Sequence, residues 1–189
     1  MSRLYLIRHG KPASVWGEAD DDPGLDDAGR AQAEAARDWL LALPPAERPI
    51  KVVSSPLRRC RETAEPTAAA LGVAIEIDPR VGEIPTPAGL DAAQRPAWLR
   101  GVFQGEWRTV QGDLDYDAWR GDIAASLAGR GGTAVFSHYV AINAVLSRIA
   151  DDPRVLVFRP DHASITTLES DGQAVTLVEK GREAATAVL

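Results

Sequence analysis

Arg3-Leu4-Tyr5-Leu6-Ile7-Arg8-His9-Gly10 is the stretch from which the fold is read. Its apolar core, Leu4 to Ile7, is cut off at once by Arg8 and His9. A run this short and this apolar reads as a strand buried on both faces. It is also too short for a signal-peptide core. In open α/β sheets, ligand sites form outside the carboxyl ends of the strands, so the residues that close the run are candidates for chemistry.

Outward from that strand, short β-like runs alternate with longer helical ones. Lys11 to Pro23 is loop-like, and Asp26 then reads as a helix N-cap with Asp27 in the first turn. Ala28, Ala31, Ala35, Trp39 and Leu43 recur at helical spacing until Pro44-Pro45 ends the run. Ile50 to Ser54 is a second strand, followed by Ser55 as N-cap and Pro56 at the first helical position. Leu57, Cys60, Ala64, Ala68 and Leu71 form the apolar stripe of that helix; Pro66 should kink or restart it, and Gly72 closes it. Ala74 to Ile77 is a third strand. Between Pro85 and Gly132, helices are expected near Asp91–Val102 and Asp115–Leu127, with Trp98, Trp107 and Trp119 as core or lid pieces. Thr133 to Ser137 is a strand and Tyr139 to Ile149 an apolar helix; Asp171-Gly172 turns a hairpin between Ser164–Glu169 and Ala174–Glu179. The pattern implies a single α/β domain over residues 1–189, a three-layer α/β/α sandwich with a mainly parallel mixed sheet.

Composition narrows the function classes. Hydrophobic residues at 45% and charged residues at 25% are globular usage. The net charge of −6 disfavours nucleic acid as partner, while leaving room for a local basic pocket that attracts a small anion. No stretch approaches the roughly 18 apolar residues that span a bilayer, so no membrane partner is expected. One cysteine, Cys60, permits the cytoplasm, the compartment expected here. Letters alone give no exposed apolar area, so they carry no reading of oligomeric state.

His9 and His138 both sit at strand ends. Arg8 stands beside the first, Arg58, Arg59 and Arg61 follow another strand, and Glu83 follows a fourth. Arginines that clamp an anion, a nucleophile and a proton donor are what phosphoryl transfer needs. A neutral imidazole is a competent nucleophile near pH 7, and a backbone carbonyl could fix its reactive tautomer. Gly10 would let backbone approach the bound anion closely. Cys60 reads as a small core residue; His162 could approach the site from before the hairpin, with a structural role the preferred reading.

The same residues resemble a known family. Leu6-Ile7-Arg8-His9-Gly10 is similar to the signature of the histidine phosphatase, or phosphoglycerate mutase-like, superfamily. The resemblance continues through Pro23–Arg30, through Ser54-Ser55-Pro56-Leu57-Arg58-Arg59-Cys60-Arg61-Glu62-Thr63-Ala64, around Glu83, and in Phe136-Ser137-His138. It implies a phosphoglycerate mutase-like fold, a phosphohistidine intermediate on His9, phosphate clamped by Arg8 and Arg59, and His138 completing the pocket. Glu83 would be the acid and then the base, with Glu76 and Glu106 as substitutes; Arg58 and Arg61 would stay on the surface. It further implies a small phosphorylated substrate and neither metal nor other cofactor, and no metal-ligand spacing is visible.

Departures from the family pattern concern selectivity. Lys11 replaces an acidic residue or glutamine, Val15 and Trp16 occupy the region of a phosphate-contacting asparagine, Tyr139 replaces glycine, and Asn143 stands where arginine is frequent. Trp16 is a candidate for leaning over the pocket. The modest segment between Glu83 and Thr133 favours hydrolysis over a mutase, and the presence of Arg8, His9, Arg59, Glu83 and His138 together disfavours the other alternative, a non-catalytic anion-binding module.

Overall fold

The computed structural model describes residues 1–14, 22–91 and 93–185. Six strands form one sheet in the order β3-β2-β4-β1-β5-β6. They are β1 (Ser2–Arg8), β2 (Lys51–Ser54), β3 (Ile75–Ile77), β4 (Thr133–Ser137), β5 (Ile165–Ser170) and β6 (Val175–Glu179). β1 to β4 pair in parallel, whereas β5 runs antiparallel to β1 and forms the terminal hairpin with β6. Helices α1 (Asp27–Ala42), α2 (Arg58–Leu71), α3 (Arg95–Gln104), α4 (Tyr116–Ala128) and α5 (Tyr139–Ile149) cover it. Among the described residues no helix is long and apolar enough to cross a membrane.

The strand at the centre shows why both faces are covered. Successive side chains of a strand point to opposite faces. Tyr5 and Ile7 pack with Leu40 of α1 and Cys60, Ala64 and Ala68 of α2. Leu4 and Leu6 face the opposite layer, with Leu99 of α3, Ile123 and Leu127 of α4, and Val140 to Val145 of α5. The expected three-layer sandwich is the architecture observed.

Three local expectations need correction. Ala28, Ala31, Ala35 and Trp39 lie on the exposed side of α1; the buried stripe is Gly29, Ala33, Ala36 and Leu40. An alanine-rich helix offers two similar stripes, and Gly29 decides between them because its missing side chain admits the backbone of Lys11. Helix α2 begins at Arg58, with Leu57 as N-cap, so Ser55 and Pro56 precede it. Pro66 does not restart the helix: α2 runs unbroken from Arg58 to Leu71 with the proline inside it. Thr63 and Ala64 before it, and Thr67 and Ala68 after it, are all buried, and that packing outweighs the lost hydrogen bond. Trp107 is fully buried and donates Nε1–H to Ser147 Oγ at 2.8 Å, while Trp98 and Trp119 lie partly buried against the same core.

Candidate active site

β1 and β4 are neighbours whose chains leave in opposite directions: β1 leads to α1 on one face, β4 to α5 on the other. Diverging connections open a crevice at the carboxyl ends of such strands. His9 follows β1 and His138 follows β4, and their rings meet edge to face with centroids 5.3 Å apart. Both are buried.

His9 is oriented by its own neighbour. Its Nδ1 lies 2.8 Å from Gly10 O. A carbonyl can only accept, so Nδ1 carries the proton and Nε2 keeps its lone pair. Burial, reinforced by His138, Arg59 and Arg8, holds His9 well below the ordinary imidazole range. The result is a neutral imidazole whose Nε2 makes no hydrogen bond among the described residues.

Gly10 is closely packed. Its N–H donates to Thr63 Oγ1 at 2.9 Å, and a Cβ there would stand 2.6 Å from Gly29 O. The close approach that Gly10 permits is therefore to α1. The bond from Gly10 N–H to Thr63 ties α2 to the chain just after β1, and Thr63 in turn donates within α2 to Arg59 O at 2.6 Å.

His138 occupies the N-cap position of α5, yet its side chain makes no cap hydrogen bond. Arg59 Nη2 donates to its Nδ1 at 3.2 Å. The proton is then on Nε2, which donates to Ser55 Oγ at 2.8 Å. This contact explains why Ser55 sits outside the helix it was expected to cap. Burial, with Arg59, Arg8 and Arg95 adding, keeps His138 well below the usual range. Cys60 lies beneath, its thiol 3.3 Å from both Ser137 O and His138 Nε2, and burial raises its pKa.

Arg8 is buried, donating to Pro160 O at 3.0 Å and to His162 Nε2 at 3.1 Å. Its Cζ stands 5.1 Å from the centroid of the Tyr139 ring. Arg8 Nε has no hydrogen-bond partner among the described residues. Burial lowers the guanidinium to about 10, with Glu83 opposing the shift. It stays charged at neutral pH. Arg59 is equally buried, whereas Arg58 and Arg61 are exposed.

Glu83 reaches the site along a braced path. Asp78 follows β3 and donates its N–H to Ser54 O at 2.9 Å; its carboxylate pairs with Arg80 and Arg130. A single 3₁₀ turn, Pro79–Val81, follows, and Ser137 Oγ donates to Val81 O at 2.8 Å. Val81 and Ile84 are buried on either side. Glu83 Oε2 lies 3.8 Å from His138 Nδ1, and Oε1 accepts from Ile84 N–H at 3.0 Å. Glu76 is exposed and pairs with Arg130, and Glu106 is exposed, with its backbone carbonyl accepting from Thr109, so neither joins the buried histidines.

One residue at this site, Arg95, escaped the sequence reading, which prefers a structural role for His162. Arg95, at the start of α3, is buried and donates to Ile84 O at 3.3 Å; its charge acts on Glu83 and Arg59. The only hint was an arginine early in an expected helix. His162, read as structural, stands against Arg8 with its ring centroid 6.0 Å from that of His9. Lys11 pairs with Asp26 at 2.7 Å, and Asn143 holds the chain at Val157 and Phe158 through Oδ1. Trp16 lies outside the described residues. Among those residues no three His, Cys, Asp or Glu side chains cluster in a metal-binding arrangement.

Three buried guanidiniums, one carboxylate and two neutral imidazoles thus share one crevice. The excess is positive, suited to a doubly charged tetrahedral anion.

Known proteins share this fold. The structure resembles that of a mycobacterial glucosyl-3-phosphoglycerate phosphatase, with a TM-score of 0.72 and 24% identity, over 97% of this chain and 100% of that one. It also resembles phosphoserine phosphatase from Entamoeba histolytica, solved with 3-phosphoglyceric acid, with a TM-score of 0.74 and 19% identity over 96% and 98% of the two chains. A curated relative, the transcription factor tau 55 kDa subunit of Saccharomyces cerevisiae, is 28% identical over 125 residues. That match takes in 57% of this chain but only 28% of the relative. The family model of the histidine phosphatase superfamily (branch 1) matches residues 4–111, more than half of the chain, and the protein belongs to that superfamily.

Proposed function

We propose that the protein is a metal-independent phosphomonoesterase that hydrolyses a small phosphorylated metabolite through a phosphohistidine on His9. The observation that carries this reading is the pinned, neutral His9 with its unprotonated Nε2, set among buried guanidiniums. In the first step Nε2 attacks phosphorus and the bond to the leaving oxygen breaks. Glu83 gives that oxygen a proton, and the alcohol departs. In the second step Glu83 takes a proton from water, the water oxygen attacks phosphorus, and the bond from phosphorus to Nε2 breaks. Inorganic phosphate leaves, and enzyme and acid are restored.

Arg8 and Arg59 hold the non-bridging oxygens, and the buried, unsatisfied Nε of Arg8 is a donor that a phosphate oxygen would satisfy. His138, steadied by Ser55 and Arg59, completes the pocket. These groups supply the positive charge that a metal ion would otherwise bring. The two structural neighbours named above are phosphatases of small phosphorylated compounds, which agrees with the substrate class. A cytoplasmic setting suits Cys60, a free thiol beneath His138.

The test is phosphate release from p-nitrophenyl phosphate and a panel of phosphorylated metabolites, with chelator present, beside His9→Ala. Release that survives chelation and vanishes in the variant is expected. Activity retained by His9→Ala would remove the central assignment, and transfer without release would make the protein a mutase.

A further inference from the structure

The third histidine of the chain has no part in the steps above. We infer that His162 is a positioning residue that aims the phosphate-binding guanidinium of Arg8, and that a strained turn at Ala163 holds it in place. What Arg8 binds rests on the phosphatase reading; the contact itself does not.

Both bonded nitrogens of Arg8 are taken by one short segment, Nη1 by Pro160 O at 3.0 Å and Nη2 by His162 Nε2 at 3.1 Å. A guanidinium only donates, so His162 Nε2 must be the acceptor and Nδ1 the protonated nitrogen. Burial, with the charge of Arg8 adding, pushes His162 down to about 4, so it can accept throughout the neutral range. The charged groups around it are Arg8 at the end of β1, Lys11 and Asp26 between β1 and α1, and Asp161 beside it. Tyr139 covers Arg8 with its ring. The guanidinium is thereby fixed on two edges, and its Nε remains for the ligand.

The backbone next to His162 carries the second observation. Ala163 has φ of 53°, in the left-handed region that residues with a Cβ seldom adopt. Alanine has no polar side chain to favour that conformation locally. External ties hold it instead. Ala163 N–H donates to His9 O at 3.3 Å, and Ser164 N–H to Asp161 O at 3.0 Å. His162 N–H donates to Asp161 Oδ1 at 2.8 Å, and Arg182 Nη2 to His162 O at 3.1 Å. The strained residue is bonded to the carbonyl of the proposed nucleophile, and its neighbour to the guanidinium beside it. Strain of this kind persists where surrounding contacts over-determine it, and it gathers at functional sites.

His162→Phe, His162→Gln and Ala163→Gly provide the test, read by calorimetric binding of inorganic phosphate, by kcat/KM for p-nitrophenyl phosphate, and by thermal unfolding. Phenylalanine keeps the ring and removes the acceptor; phosphate affinity and kcat/KM should each fall about tenfold, the scale of a hydrogen bond to a charged group. Glutamine offers an acceptor and should restore most of the loss. Ala163→Gly should raise the unfolding temperature and weaken phosphate binding. Wild-type affinity in folded His162→Phe, or no rescue by glutamine, would overturn the inference. So would Ala163→Gly binding phosphate as tightly as wild type, a result that decides the matter even if His162→Phe fails to fold. If wild type neither binds nor releases phosphate, the phosphatase reading fails, and the contact is then judged by ¹⁵N NMR. His162 should stay neutral with Nε2 unprotonated down to about pH 5, and its titration should move up in Arg8→Met. An unchanged titration would refute the contact.

Discussion

At the scale of single residues, the chemistry depends on which nitrogen of His9 holds the proton. The Gly10 carbonyl settles that locally, and burial with two nearby guanidiniums keeps the ring neutral. Because His9 and His138 are both held well below 6.5, neither should gain a proton as the pH falls through that value. kcat/KM, which reports the free enzyme, should therefore show no fall with a midpoint near 6.5 beyond the titration of the substrate's own phosphate; a further fall there would mean that one imidazole titrates normally. Glu83 admits a sharper test. As a proton donor it matters most when the leaving oxygen is basic. Glu83→Gln should slow hydrolysis of alkyl phosphates about a hundredfold or more, at the lower end of what general acid catalysis contributes. The loss should be smaller for p-nitrophenyl phosphate. An equal loss on both would assign Glu83 to something other than protonation.

At the scale of elements, the site is assembled by backbone contacts that side-chain patterns do not announce. The loop after β1 and the first turn of α1 cross at Gly10 and Gly29, where a Cβ on Gly10 would meet Gly29 O at 2.6 Å. Gly10→Ala should accordingly destabilise the fold by about 1–3 kcal/mol, the range for overpacking, and displace His9. Urea unfolding and phosphate release would report the two effects separately. This crossing also marks where the sequence stops being legible. β4 and α5 were readable to the residue, because Thr133–Ser137 and Tyr139–Ile149 are mostly apolar and are introduced by Gly131-Gly132 and by His138. The buried face of α1 was not, since alanines on two stripes look alike until Gly29 meets the loop. Nor was the start of α2, because the Ser55 hydroxyl is claimed by His138, a residue 83 positions away. Arg8, His9, Arg59, His138 and Glu83 could be placed at one rim because strand ends and motif blocks are local signals. Arg95 could not, and His162 could be brought near but given no role, since each reaches the rim from a segment whose path only tertiary packing defines.

At the scale of the whole molecule, an acidic chain of net charge −6 encloses a crevice with more guanidiniums than carboxylates. Keeping three histidines neutral beside those guanidiniums has a consequence for stability. A histidine whose folded pKa is depressed leaves the native state with fewer bound protons than the unfolded chain once the pH drops below about 6.5. Stability then falls with the pH, and for His162 the loss is complete only near its folded value of about 4. With all three histidines contributing, the slope can reach about 4 kcal/mol per pH unit. Below about pH 3.8 the depressed carboxylates Asp78 and Asp152 continue the loss in the same direction. An anion in the crevice should oppose it, because His9 and His138 can accept protons once a dianion lies against them. Sulfate stays doubly charged from pH 7.5 to 5 and separates this effect from the titration of phosphate itself. Thermal unfolding with sulfate against chloride of equal ionic strength should show a larger sulfate gain at pH 5 than at pH 7.5. Arg59→Met reports the gain that any excluded salt would give. A sulfate gain in wild type that matches this variant at both pH values would mean that the guanidiniums and histidines do not form one anion site.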